Sequence, residues 1–201
     1  MSPDAKDREL LLAVQAFTLD HPHDDLNTFK PAIRDWGKRW QPVTASQLPV
    51  MDFLPHILES AEPLAKPLLD CFCGHATELH WEQSYRREDG LVSDAMLDAY
   101  GFAEIIGARG PFVSDRIRAG LALLGPRVEY PQHRHVATEV YLLLSGSMRF
   151  RFDDTTQLTC RPGDVILVDS NRRHGFDTFD DPIALLYLWR AGDLRQTSRF
   201  D

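Results

Sequence analysis

The sequence has few of the features that mark secreted, membrane-spanning or zinc-ribbon proteins. Its 201 residues include only three cysteines, Cys71, Cys73 and Cys160, an odd number without a paired zinc-binding spacing. No apolar run approaches the ~20 residues that cross a membrane. The N-terminal stretch also lacks the basic start and continuous apolar segment of a signal peptide. We therefore expect a cytoplasmic protein with reduced thiols and no membrane partner.

An excess of positive charge is also missing from the chain. There are 22 lysines and arginines against 30 aspartates and glutamates, which gives a formal net charge of −8. Proteins that bind nucleic acid usually present a basic face to the phosphates, so we do not expect a nucleic-acid partner. Hydrophobic residues make up 43% of the chain, enough to bury a core without disulfides.

Two regions of different character follow one another along the chain. Residues 1–101 favour helices, and the prolines between positions 22 and 67 require that these helices are short or begin at a proline. Residues 102–201 contain nine short apolar segments separated by Gly, Pro, Asp and Asn, as in antiparallel sheets. The pattern predicts a mainly β fold, a closed barrel or double-sheet jelly roll, with the helical region packed on it as one structural unit.

Residues that can bind a metal are concentrated in the β region. His133 and His135 are two apart on a predicted strand and share a face, and Glu139 and then Tyr141 can point into the same interior. With His174, they give three imidazoles and a carboxylate, which suit one divalent transition metal: Fe, Mn, Zn, Co or Ni. The other five histidines are interpreted as ordinary polar residues: His21, His23, His56, His75 and His80. Trp81 and Tyr85, four residues apart, are interpreted as core packing.

The segment from His133 to Gly146 resembles the first motif of the cupin proteins. That motif reads H-x-H, three residues, E, six residues and G, and the spacing is met here in full. Gly125 stands in for the leading glycine of the motif, two residues further from His133 than is usual.

A second segment resembles the second cupin motif in spacing, although its turn residues differ. Gly163 and His174 keep their positions, while Asp169 and Asn171 replace a proline and a glycine, and Thr178 stands where the motif closes on asparagine. The resemblance implies a cupin double-stranded β-helix barrel that binds one metal ion.

A longer pattern is similar to the DddQ type of cupin dimethylsulfoniopropionate lyases. These enzymes carry Y-P-x-H-x-H-x-A-x-E-x-Y-x-x-L-x-G, met here by Tyr130, Pro131, His133, His135, Ala137, Glu139, Tyr141, Leu144 and Gly146. The resemblance implies a carbon–sulfur lyase that cleaves a small zwitterionic sulfonium compound, dimethylsulfoniopropionate, to dimethyl sulfide and acrylate by β-elimination.

Tyrosines are the candidate bases for this reaction. We expect Tyr141 to act as the base, and Tyr130 is the alternative, with Tyr141 then orienting the substrate. Tyr141 is also a candidate metal ligand, in place of His133 if that histidine turns outward to the substrate. Tyr187 and Trp189 on the last strand offer aromatic faces that attract a sulfonium cation, and Tyr130 is a further substrate contact.

Two other functions use the same residues. A cupin dioxygenase would employ the same ligands with Fe(II) and O2, and a small-molecule-binding cupin would bind without catalysis. Dependence on O2 separates the first from the lyase, and binding without product formation separates the second. The sequence is compatible with a homodimer but does not determine the oligomeric state.

Overall fold

The computed structural model describes residues 3–34 and 36–200. Residues 1, 2, 35 and 201, which include the outer ends of the two predicted regions, lie outside the described residues. The α-helices of the described chain all precede residue 100: α1 (Ala5–Asp20), α2 (Lys30–Ile33), α3 (Leu54–Glu59), α4 (Lys66–Gly74) and α5 (Asp94–Asp98). Short 3-10 helices occupy Asp24–Thr28, Pro49–Phe53, Ala76–Glu78 and Arg87–Asp89.

Prolines determine where several of these helices begin. Pro31, Pro55 and Pro67 are each the second residue of their helix, where the missing N–H has no intrahelical partner to lose. The longest helix, α1, ends at Asp20, where the next residue is extended and Pro22 follows. The prediction that the helices in this proline-rich stretch are short or begin at a proline is confirmed.

The strands form two antiparallel sheets, apart from one short parallel pair between β2 and β3. Their bounds are β1 (Trp81–Glu82), β2 (Tyr100–Gly107), β3 (Phe112–Val113), β4 (Ile117–Leu124), β5 (Glu129–His133), β6 (Thr138–Ser145), β7 (Met148–Phe152), β8 (Thr156–Cys160), β9 (Val165–Val168), β10 (His174–Thr178) and β11 (Ile183–Arg190). The larger sheet has the order β1-β2-β4-β11-β6-β9, with β3 beside β2, and the smaller has the order β5-β10-β7-β8. The mainly β fold class predicted from the sequence is confirmed.

The start of the β region differs from the prediction. Strand β2 begins at Tyr100, so the predicted boundary between residues 101 and 102 falls inside it. The region predicted to be helical also contributes β1, which pairs with β2. A two-residue strand has no periodicity of its own, and its structure depends on the partner strand.

The larger sheet is buried on both faces. On β6, Val140, Leu142 and Leu144 pack with the helices in one apolar cluster, while Tyr141 and Leu143 belong to a second cluster inside the barrel. Burial on both faces explains why these strands are continuous apolar runs. The smaller sheet faces solvent on one side, so β7 alternates buried and more exposed residues, as predicted for Arg149–Phe152.

Candidate metal centre and active-site cavity

The four predicted metal ligands come together at one end of the barrel. His133 ends β5 and is paired with His174, the first residue of β10. His135 follows two residues later, and Glu139 lies on β6 of the opposite sheet. All four side chains are buried, with exposed fractions of 4% or less.

The distances among these groups suit a single small cation. One ligand nitrogen from each histidine lies within 4.8 Å of the others. Oε2 of Glu139 lies 2.7 Å from Nε2 of His135 and 3.5 Å from Nε2 of His174. Within the described chain, Nε2 of His174 is buried and has no hydrogen-bond partner. A buried imidazole nitrogen without a partner is unusual in a folded protein, and a metal would satisfy it.

The other ring nitrogen of each histidine fixes which nitrogen faces the site. Nδ1 of His133 is 3.0 Å from the carbonyl of Pro131, and Nδ1 of His174 is 2.9 Å from that of Arg172. Nδ1 of His135 is likewise 2.9 Å from a backbone carbonyl, that of Ala137. A carbonyl only accepts, so we assign a proton to each Nδ1, which leaves Nε2 as the atom available to a metal.

The charges of the site favour a divalent cation. Burial, and then the neighbouring His174, lower the pKa of His133 well below its ordinary value, so the ring is neutral. Burial by itself would raise the pKa of Glu139, but His135 and His174 lower it below the ordinary carboxyl range. The residues thus fit one divalent metal, with neutral imidazoles and a charged carboxylate as ligands.

Tyr141 points into the barrel beside these ligands. Its ring centroid is 6.1 Å from that of His174, and the side chain is 7% exposed. Burial, and then the nearby Glu139 carboxylate, raise the pKa of Tyr141 well above its ordinary value. Without a cation the phenol is therefore neutral.

Tyr130 lies on the smaller sheet, across the cavity. Its ring centroid is 4.8 Å from that of His133, and its hydroxyl is 3.0 Å from the hydroxyl of Tyr85. Burial, and then the neighbouring Tyr100 and Tyr85, raise the pKa of Tyr130 well above its ordinary value. The two candidate bases are therefore both buried, and they differ in their hydroxyl partners.

One cavity connects most of the predicted site residues. Its lining includes Tyr130, His133, Glu139, Tyr141, Tyr187 and Trp189. His135 adjoins the cavity through Trp189, whose ring centroid is 4.1 Å away, and His174 adjoins it through His133 at 4.2 Å. The structure thus brings every predicted site residue to one place.

Comparison with known proteins shows the family to which the chain belongs. The family model described as dimethylsulfoniopropionate lyase matches residues 33–185, about three quarters of the chain. The chain belongs to the dimethylsulfoniopropionate lyase family. The lyase DddQ of Ruegeria pomeroyi is 29% identical over 157 residues, which cover 77% of this chain and 75% of that protein.

Solved structures give the same family and the fold. A crystal structure described as that of the dimethylsulfoniopropionate lyases RdDddP and RnDddQII superposes with a TM-score of 0.86, 28% identity and 98% coverage of both chains. The structure of DddQ from Ruegeria pomeroyi DSS-3 gives a TM-score of 0.84 and 26% identity, covering 98% of this chain and 96% of the other. Both the predicted cupin barrel and the predicted enzyme class, a carbon–sulfur lyase, are confirmed.

Sequence reasoning missed an ion pair in the wall of this lyase's cavity. Nε of Arg118 donates a 2.6 Å hydrogen bond to Oε2 of Glu104, and both side chains are buried. The guanidinium carbon of Arg118 lies 5.0 Å from the ring centroid of Trp189 and 5.8 Å from that of Tyr187. A charged residue within each of two apolar strand segments was the signal that could have indicated this pair.

Two further parts of the lyase's site were also missed. Tyr85 is buried, as its core interpretation requires, but it also reaches Tyr130. Residues 196–198 line the cavity, and the chain beyond them is held by two backbone hydrogen bonds between Arg134 and Arg199, of 2.9 and 2.8 Å. Phe200 then packs on Tyr85, with ring centroids 5.0 Å apart. These contacts join distant parts of the chain and leave no local pattern.

Proposed function

We propose that this chain cleaves dimethylsulfoniopropionate to dimethyl sulfide and acrylate by a metal-dependent β-elimination. The observation that carries the proposal is that Tyr141, Glu139 and His133 line one cavity, with the other two histidines adjoining it. Membership of the lyase family supports dimethylsulfoniopropionate as the substrate, because the DddQ relative is named as a lyase of this compound.

His133, His135, Glu139 and His174 are the proposed ligands of one divalent transition metal, Fe, Mn, Zn, Co or Ni. The unpartnered Nε2 of His174 and the Nδ1 hydrogen bonds of the three histidines support this assignment. Tyr141, next to Glu139, is a further candidate ligand. When bound, such an ion supplies Lewis acidity that offsets the negative charge developing on the substrate carboxylate.

Tyr141 is the proposed base. Its phenolate oxygen takes a proton from the carbon next to the carboxylate, and the electron pair of that C–H bond forms the carbon–carbon double bond. The bond between the β-carbon and sulfur breaks, and its electron pair stays on sulfur. The products are neutral dimethyl sulfide, acrylate and a protonated tyrosine, so atoms and charge balance.

Tyr141 must lose its proton before it can act. Burial and Glu139 oppose this by raising its pKa, while a cation nearby favours the charged form of a phenol. Tyr141 is therefore expected to work as a base only in the metal-loaded protein. Tyr130 is the alternative base, but its hydroxyl is engaged by Tyr85.

Four cavity residues are the proposed substrate contacts: Tyr130, His133, Tyr187 and Trp189. Their side chains surround the cavity from both sheets, and three of them are aromatic. An aromatic face such as that of Tyr130 is suited to the sulfonium end of the substrate, because it attracts a cation by roughly 0.5–2 kcal/mol.

The direct test is to mix purified, metal-loaded protein with dimethylsulfoniopropionate and to measure headspace dimethyl sulfide and dissolved acrylate. We expect equal amounts of the two products, at the same rate with and without O2. Product formed only with O2 would support a dioxygenase instead, and binding without product would support a binding protein. His174→Ala is the matched inactive control.

Location and assembly stay predictions from the sequence. Among the described residues, no helix is long and apolar enough to cross a membrane. A cytoplasmic location and a homodimer are the states to be tested, by fractionation of cells and by light scattering of the purified chain.

A further inference from the structure

Three hydrogen-bond donors converge on one side of the cavity. Arg118 on β4 and Tyr187 and Trp189 on β11 all line it, and they are only 6%, 7% and 8% exposed. In the strand register, Trp189 lies opposite Arg118 on one side and opposite Glu139 on the other. This donor set, Arg118, Tyr187 and Trp189, is therefore adjacent to the proposed metal ligands.

Arg118 is held in a fixed orientation. Its Nε donates to Oε2 of Glu104, and Oε1 of Glu104 accepts from the backbone N–H groups of Arg109 and Gly110 at 2.7 and 3.0 Å. A guanidinium has five N–H groups, so four of them, on the two terminal nitrogens, lie outside this bond. Their planar fork matches the two oxygens of a carboxylate.

The other two donors point to a ligand as well. The hydroxyl of Tyr187 and Nε1 of Trp189 are buried and have no hydrogen-bond partner within the described chain. Buried polar atoms in folded proteins are nearly always hydrogen bonded. Two unpartnered donors beside a guanidinium, in the wall of a cavity, are what an anionic ligand would complete.

The same arrangement disfavours a cation at this end of the cavity. The rings of Trp189 and Tyr187 already lie against the Arg118 guanidinium, at 5.0 and 5.8 Å. A sulfonium placed there would meet a like charge in a poorly solvated site. Tyr130, on the smaller sheet, and Tyr100, whose ring centroid is 5.5 Å from that of Tyr130, also line the cavity, and no guanidinium lies over either ring in the ring contacts described.

We propose that the donor set is a carboxylate-binding subsite. It fixes the carboxylate end of the substrate beside the metal ligands and directs the sulfonium end toward Tyr100 and Tyr130. The identity of the substrate rests on the proposed function, whereas the preference for a small carboxylate follows from the donors themselves. Tyr187 and Trp189 then contact the substrate at its acidic end, and not at its sulfonium.

Propionate is the probe that tests the subsite, because it has the carboxylate but no leaving group. Its affinity for the metal-loaded protein is measured by calorimetry for wild type, Arg118→Gln and Arg109→Gln. We expect Arg118→Gln to weaken binding by about ten- to a hundredfold, as for loss of a charge-assisted hydrogen bond. Arg109 also lines the cavity but pairs with Glu82 at 2.7 Å, so its variant should change the affinity by less than about threefold.

Two further measurements separate recognition from a structural role. Propionamide has the same shape without the charge, so its weaker binding should not change in Arg118→Gln. Tyr187→Phe removes only the unpartnered hydroxyl, so it should weaken propionate binding by about three- to tenfold without lowering the thermal midpoint. If Arg118→Gln does not fold, Arg118→Lys replaces it. This variant keeps the charge and loses the planar fork, and it too should bind propionate more weakly than wild type.

The proposal is overturned if propionate binds wild type and the folded Arg118 variant equally, or if only Arg109→Gln loses affinity. Failure of the lyase proposal looks different. In that case no dimethyl sulfide forms, yet propionate binding still depends on Arg118. If the lyase is active and the subsite is correct, Arg118→Gln raises KM by the same factor as it weakens propionate, with a smaller change in kcat.

Discussion

Nε2 of His135 and Oε2 of Glu139, two of the proposed metal ligands, lie 2.7 Å apart and share a hydrogen bond. Since Nδ1 of the same ring faces the carbonyl of Ala137, which only accepts, the 2.7 Å contact between Nε2 and Oε2 requires a further proton between these two atoms in the metal-free site. A metal that takes both atoms must displace the proton between them.

Metal binding should therefore release protons. We expect titration of Zn²⁺ into metal-free protein near neutral pH to release about one proton per ion, and the affinity to rise with pH. Calorimetry in two buffers with different ionisation enthalpies measures this number directly. An observed enthalpy that is independent of the buffer would contradict the proposed ligand pair.

The ligand set predicts which residues control metal content. Protein purified without added metal should hold about one equivalent, and His174→Ala and Glu139→Ala should each lose most of it. His56→Ala is the matched control, because His56 is an exposed histidine outside the cluster and should leave the metal content unchanged. Elemental analysis of the four proteins decides, and full occupancy in both ligand variants would rule out the assignment.

Asn171 illustrates how the altered second cupin motif still forms its turn. Its φ is +60°, in the left-handed region where the motif has glycine, and its N–H donates a 2.8 Å hydrogen bond to the carbonyl of His135. Asparagine tolerates this conformation better than other residues with a side chain. The substitution thus keeps the backbone that positions a metal ligand.

The turn gives a prediction about stability. Asn171→Ala should lower the free energy of unfolding by about 1–2 kcal/mol, because alanine is strained at positive φ. Asn171→Gly should be the more stable of the two variants, although alanine is normally preferred to glycine. Urea unfolding of both proteins gives the order, and an alanine variant that is more stable than the glycine variant would contradict the left-handed assignment.

The ligands could be predicted from the sequence because their geometry is local. His133 and His135 are two residues apart on an extended chain, and the cupin spacing then locates Glu139 and His174. Arg118 and Glu104 could not be paired in the same way, since each lies within an apolar strand segment and their contact depends on the register of β2 and β4. Locally, both segments indicate only buried strands.

Contacts between distant segments account for the other omissions. Tyr85 reaches Tyr130 across 45 residues of sequence, and the strand β1 that precedes it exists only by pairing with β2. The aromatic residues of β11 face the interior, as their predicted contact with the substrate requires. The charged group that lies against them is the guanidinium of Arg118 on β4. The sequence did not reveal that β4 contributes to the site.

The choice between the two candidate bases gives the last prediction. Tyr141→Phe keeps the ring and removes the hydroxyl next to Glu139, so the barrel should fold and keep most of its metal, while the rate should fall by about 10²–10⁴-fold. Tyr130→Phe should cost much less, because its hydroxyl is paired with Tyr85 and only orients the substrate. Tyr85→Phe breaks the same pair from the other side and is the matched control.

The pH dependence separates a base from a residue that only positions the substrate. Only the deprotonated phenol accepts a proton, so the wild-type rate should rise with pH toward the pKa of Tyr141 in the loaded enzyme and then level off. Burial and Glu139 raise that pKa in the absence of a cation, so only metal-loaded molecules should turn over, and a lower metal content should reduce the height of the rising limb without moving it along the pH axis. Residual activity of Tyr141→Phe should lack the limb, whereas Tyr130→Phe should retain it.

If Tyr130→Phe is inactive and Tyr141→Phe is close to wild type, Tyr130 is the base. If both variants stay active, the proton is removed by another group.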